Sequence, residues 1–250
     1  MSVVAIIAVV MAMLSACSSA QPAPPGSAGE TVDVTPSPSV LDLPLTTTAG
    51  KQIRLSDFAG KVVVVSDMMS LCQESCPLDT ANVVAAAQAV EKAGLGGRVV
   101  FLTVTIDPVR DTLDQLRAFR GLYSPSPADW IVATGSVGGL KQFWSSLGVD
   151  VEKVKNSPPL PRNWRTGEPL SYDITHSDDV FFFGPNGHER FLLAGIPYVA
   201  AGAPLPPTLK KFMDDEGRSN LANPGQDPWT ETQELQVISW LANKHIAANQ

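Results

Sequence analysis

Val62-Val63-Val64-Val65-Ser66-Asp67, followed after a short loop by Cys72-Gln73-Glu74-Ser75-Cys76-Pro77 and an alanine-rich run to Ala93, decides the fold. Four consecutive valines favour a strand, because β-branched side chains pack well on a pleated surface. Pro77 suits the first turn of a helix, and Gly94 suits its stop. Residues four apart on a helix share a face, so the two thiols of this C-x3-C pair point at one spot. Such a pair can close a disulfide or grip one soft metal ion. Two inert buried thiols are the plain structural alternative.

The strand and helix pattern continues outward from this stretch. Val99 to Ile106 is a nearly continuous apolar run, as expected of a strand covered on both faces. Thr112-Leu113-Asp114-Gln115 fits a capping box for a helix through Phe119, Trp130 to Ala133 reads as a strand, and Ser136 caps a helix through Leu147. Val180 to Phe183 and Arg190 to Leu193 flank Gly184-Pro185-Asn186-Gly187 as a β-hairpin. Gln52 to Leu55 alternates as a short strand, and Asn156 to Pro169 reads as a long surface loop. Trp229 to Lys244 has the spacing of an amphipathic helix, with Leu235, Ile238 and Leu241 on one stripe. The order predicts an α/β fold: a central mixed sheet flanked by helices, with an inserted hairpin and long loop.

The chain has 250 residues, three cysteines and a formal net charge of −7. An acidic chain is a poor ligand for nucleic acid or for an anionic membrane surface, both of which recruit Lys and Arg. Val3 to Leu14 is apolar but shorter than the ~20 residues needed to span a bilayer. It fits the h-region of an export signal over residues 1–16. The ending Leu14-Ser15-Ala16-Cys17 resembles the lipobox of bacterial lipoproteins, which implies lipidation of Cys17 and a cell-membrane location facing outward. The n-region is only Met1-Ser2, without Lys or Arg, so a start upstream of Met1 stays open. Residues 17–48 are rich in Pro, Ser, Ala and Thr and read as a disordered tether. Lys51 is the first basic residue, and the folded domain is expected over residues 49–215, with a C-terminal extension over 216–250. Removing Cys17 from the count leaves Cys72 and Cys76, which in an oxidising compartment tend towards a disulfide unless a reductase or metal holds them.

Three motifs then line up with one family. Gly60-Lys61 and the valine strand leading to Cys72, Cys76 and Pro77 resemble the thiol loop of the SCO/SenC proteins of cytochrome c oxidase synthesis. Ile106-Asp107-Pro108-Val109-Arg110-Asp111-Thr112 is similar to their I-D-P-x-R-D-T signature. Thr175-His176-Ser177 ahead of Phe181-Phe182-Phe183-Gly184-Pro185-Asn186-Gly187 resembles their segment before the last hairpin. The likeness runs from about Lys51 to Gly195. It implies a thioredoxin-like fold and a copper site with Cys72, Cys76 and His176 as ligands, holding Cu(I) or Cu(II). It further implies delivery of copper to the CuA centre of an apo cytochrome c oxidase subunit, or to another exported copper protein. Met68-Met69-Ser70-Leu71 replaces the aromatic and charged residues often found before the first cysteine.

The residue chemistry agrees with that implication. Cu(I) prefers thiolates and accepts imidazole, whereas structural zinc normally closes with four ligands. A helix N-terminus lowers a thiol pKa and favours the thiolate. Asp107 is a candidate for support of the site, although capping and loop ordering by Asp107, Arg110 and Asp111 explain them as well. The competing function is a thiol–disulfide reductase, with Cys72 and Cys76 as its redox pair, that keeps an acceptor's cysteines reduced. It needs both thiols but not His176. A peroxiredoxin usually carries Thr or Ser where Met69 stands, and the C-x2-C of dedicated thioredoxins is missing.

Overall fold

The computed structural model describes residues 26, 29–225 and 228–248. The expected export signal and the lipid acceptor Cys17 lie outside the described residues. Among the described residues no helix is long and apolar enough to cross a membrane.

The chain begins with β1 (Gly29–Val34), α1 (Pro38–Leu41), β2 (Leu45–Thr47) and β3 (Gln52–Ile53), then a 3-10 turn over Leu55–Phe58. The valine run forms β4 (Val62–Met68), and α2 (Cys76–Lys92) follows the thiol loop. Next come β5 (Val99–Thr105), α3 (Leu113–Gly121), β6 (Trp130–Thr134) and α4 (Val137–Ser146). Then β7 (Val151–Lys155), β8 (Tyr172–His176), β9 (Asp179–Phe183) and β10 (Glu189–Ala194) lead to α5 (Pro207–Phe212), α6 (Asp215–Ala222) and α7 (Glu231–Ala242).

Eight strands make one sheet in the order β1-β10-β9-β4-β5-β6-β2-β3. β4, β5 and β6 are parallel, while β9 enters antiparallel beside β4 and β10 pairs with β9. The alternation of a strand divides the core in two. Val62 and Val64 face a cluster with α2, α3 and α7, including Phe101, Phe182 and Ile238. Val63 and Val65 face the other side, with Phe181, Trp144 and both Cys72 and Cys76. Thr112 and Ser136 cap α3 and α4 through their hydroxyls as expected.

Two expectations need correction. The disordered tether does not extend to residue 48: β1 pairs with β10, and Val40, Leu43 and Leu45 are buried. The physical reason is an open edge on β10, whose free backbone groups are satisfied by a strand-capable segment, here Gly29 to Thr31 and, after a bulge, Val34. Asn156 to Pro169 is a loop as expected, and the strands on either side of it, β7 and β8, pair as a separate two-stranded sheet with Val151 opposite His176. The folded domain does not end at residue 215: the helix expected over Trp229 to Lys244 forms as α7, with Leu235, Val237 and Ile238 buried in the core, and Trp229 donates its indole N–H to the Gly195 carbonyl at 2.6 Å.

Candidate metal centre

The register of the sheet assembles the site. Ser66 of β4 lies opposite Val180 of β9, so the end of β4 and the approach to β9 meet at one edge. The thiol loop leaves from that end of β4, and His176, Ser177 and Asp178 precede β9. Residues 100 positions apart thus come together, with Cys76 Sγ 3.5 Å from His176 Nε2. Donor atoms of Cys76, His176 and Asp178 lie within 4.8 Å of one another. Cys72 and Cys76 are buried free thiols, close enough for Cys72 to perturb the Cys76 thiol. Cys72 Sγ also accepts from the Glu74 backbone N–H at 3.4 Å.

Burial sets the electrostatics. The expected lowering of a thiol pKa by the helix start is not met at Cys76. Loss of solvent, then the adjacent Cys72 and nearby carboxylates, push its thiol well up. A metal must therefore displace a firmly held proton there. His176 would be pushed down by its burial, but Asp67, Asp178 and Cys72 outweigh that and raise it to about 10. Its Nδ1–H donates to the Ser177 carbonyl at 2.7 Å. Asp67 Oδ2 stands 3.5 Å from the same nitrogen, an ion-pair distance without hydrogen-bond geometry. With Nδ1 so engaged, Nε2 is the nitrogen that can exchange its proton for a metal. Asp67 itself is raised to about 7 by burial, against the opposing pull of His176.

The loop that carries the thiols is held from several sides. Asp111 accepts from the Ser70 hydroxyl and backbone N–H and from Thr105, so it orders this loop rather than capping α3. Arg110 pairs with Asp107, donates to the Tyr172 carbonyl and to Met69 Sδ, and stacks on the Tyr172 ring. Asp107 accepts from Tyr172 at 3.2 Å and so braces β8. Trp164, from the long loop between β7 and β8, donates to the Ser70 carbonyl at 2.7 Å. From the C-terminal segment, the Asp214 N–H donates to the Gln73 carbonyl at 3.2 Å, and Gln73 Nε2 donates to the Phe212 carbonyl at 2.8 Å. Gly217 packs so closely that a Cβ there would run into the Gln73 carbonyl.

A cavity of about 300 Å³ opens onto Cys72, His176 and Asp178, with Glu74, Asp173 and Asp214 at its walls. Glu74 is raised to about 7 by partial burial and by Glu216, Asp214, Asp173 and Asp178. A larger cavity of about 370 Å³, between Pro108, Trp144 and Tyr172, is lined by no thiol or imidazole. The structure thus brings Cys76, His176 and Asp178 within ligand distance of one another, with Cys72 on the same cavity as His176, whereas His188 lies apart beside Thr35 and Asp33. Sequence reasoning missed Asp67, Asp178, Ser75 and Trp164. The acidic doublet Asp178-Asp179, two residues beyond His176, was the one available signal.

Parallel β4–β5–β6 with antiparallel β9 and β10, and a thiol pair at the start of α2, define a thioredoxin-like protein in which an imidazole joins the thiols. The chain belongs to the SCO1/SenC family, whose family model matches residues 37–197. Among solved structures it is similar to a putative electron transfer protein from Aquifex aeolicus, at 21% identity and TM-score 0.51 over 65% of this chain and 84% of that one. It is also similar to copper-bound ScoI of Arabidopsis thaliana (22%, TM-score 0.48, 59% and 82% covered). A SCO1/SenC family lipoprotein from Bacillus anthracis is comparable (22%, TM-score 0.49, 79% and 96% covered). No curated protein matches the chain.

Proposed function

We propose that this protein is a copper metallochaperone that binds copper through Cys72, Cys76 and His176 and passes it to an exported acceptor, the CuA centre of cytochrome c oxidase. The observation that carries this reading is His176 Nε2 at 3.5 Å from Cys76 Sγ. A dithiol redox enzyme needs no imidazole there, while Cu(I) accepts two thiolates and one imidazole. Cys17 would carry a lipid anchor that holds the protein on the outer face of the cell membrane. The reductase reading keeps one support: the cavity reaches Cys72, whose sulfur already accepts a backbone N–H. Under either reading Cys72 and Cys76 cycle through a disulfide when no metal is held.

Copper titration of the reduced full chain tests the choice. Cys72→Ser or Cys76→Ser should abolish tight Cu(I) binding. His176→Ala should keep Cu(I) on two sulfurs but lose the thiolate-to-Cu(II) absorption, because Cu(II) favours nitrogen donors. In cells lacking the protein, His176→Ala should fail to restore oxidase activity at normal abundance. Wild-type copper binding and full rescue by His176→Ala would transfer the function to the reductase.

A further inference from the structure

Building on the copper reading, we infer that Asp178 is a fourth ligand, an oxygen donor that engages Cu(II) and not Cu(I). A carboxylate oxygen of Asp178 stands within 4.8 Å of both Cys76 Sγ and His176 Nε2, close enough for one ion to touch all three. Its side chain is 15% exposed and opens onto the same cavity as Cys72 and His176. The carboxylate is aimed by the thiol loop itself, because Ser75 donates its hydroxyl to Asp178 Oδ1 at 2.8 Å. Ser75 occupies the N-cap of α2, where a serine hydroxyl usually accepts from the first turn, yet it makes no such cap. The helix gives up a stabilising cap, and the carboxylate is held beside Cys76 and His176 instead.

Nothing else nearby explains a carboxylate in this position. Among the described residues its one ion-pair partner is His176, at 3.9 Å, and no Lys or Arg reaches it. Asp67 and Asp179 lie close by, so the surroundings add negative charge and leave the pocket suited to a dication. The chemistry separates the two copper states. Two thiolates and an imidazole satisfy soft Cu(I), which gains little from a carboxylate. Cu(II) takes tetragonal sites with nitrogen and oxygen donors, and an added carboxylate completes four positions around it. Asp178 therefore selects the oxidised ion at a site whose sulfurs alone would select the reduced one.

The test uses the full chain, with Cu(II) and Cu(I) titrated separately under anaerobic conditions and Cu(I) measured by competition against a chromophoric chelator. Asp178→Asn should weaken Cu(II) binding about tenfold or more. It should also shift the Cu(II) EPR parameters and leave Cu(I) affinity within about twofold, since no Cu(I) bond is lost. Unchanged Cu(II) affinity and EPR in that variant would overturn the inference. Absence of Cu(I) binding by the wild-type chain would instead overturn the copper reading beneath it. If circular dichroism shows Asp178→Asn unfolded, Ser75→Ala carries the test. It leaves the carboxylate in place but unaimed, so Cu(II) binding should fall severalfold, and an unchanged value overturns the inference.

Discussion

Asp111 accepts from both the hydroxyl and the backbone N–H of Ser70, so a carboxylate beyond β5 fixes the first turn of the thiol loop. Asp111 is fully buried and also accepts from Thr105 at 2.5 Å. Removing it in Asp111→Ala strands three donors in the interior. The expected cost is about 2–4 kcal/mol in denaturant unfolding, from the worth of hydrogen bonds to a charged group. Cys72 should also react faster with a thiol probe, because its loop loses that anchor. Unaltered stability and thiol reactivity would refute this role for Asp111.

The metal-free protein should lose stability as pH rises from about 5 to 9. Burial lifts Asp111 to about 6 and Asp67 and Glu74 to about 7 in the folded state. Unfolded carboxylates release their protons near pH 4, so between about 4 and 7 the native state binds more protons and stability falls as they leave. His176 acts in the same direction at higher pH. Its raised folded value contributes stability below about 6.5 that is lost as pH passes through about 10. Thermal unfolding across this range measures the slope, and a flat or rising profile contradicts the assignment.

Glu234 on α7 is wholly buried, and neither carboxylate oxygen has a hydrogen-bond partner. Loss of solvent, with Glu231 adding to it, raises its pKa well above the usual range. Glu234→Leu removes an unsatisfied polar group at similar volume, and should stabilise the fold by about 1–3 kcal/mol. Chemical denaturation at neutral pH reads this directly. A destabilised variant would reveal a partner for the carboxylate.

Gly217→Ala should loosen the thiol loop from a distance, since the new methyl meets the Gln73 carbonyl, which the backbone cannot easily withdraw. The expected cost is about 1–3 kcal/mol, in the range of other overpacked sites. Faster hydrogen exchange at Gln73 and Glu74 would mark where the strain is relieved. Protection equal to wild type there would rule out the contact.

The central sheet was legible because Val62–Val65 and Val99–Ile106 carry their burial in composition, and because Thr112 and Ser136 announce their helices. β7 escaped since all five of its residues are exposed, which leaves no apolar period to read. β1 escaped because its pairing is dictated by the open edge of β10 rather than by its own side chains. At the site, Cys72, Cys76 and His176 stood within recognisable motifs. Asp67 and Asp178 did not, because their nearness follows from the pairing of Ser66 with Val180, a property of the folded register. Trp164 stood out beside Arg162, Arg165 and several prolines in a long loop, but its hydrogen bond to the Ser70 carbonyl depends on the folded path of that loop.

The grip of the C-terminal segment on Gln73 ties two distant properties together. Asp214 and Gly217 lie beyond the family-matched span, yet they brace the loop that presents both thiols. Whatever rigidifies that loop must, by thermodynamic reciprocity, also seat α6, and whatever lifts α6 must slacken the loop. Protease susceptibility near Arg218 thus becomes a remote gauge of the state of the sulfurs. A partner that pries this helix away would loosen the loop that presents the sulfurs without touching either thiol.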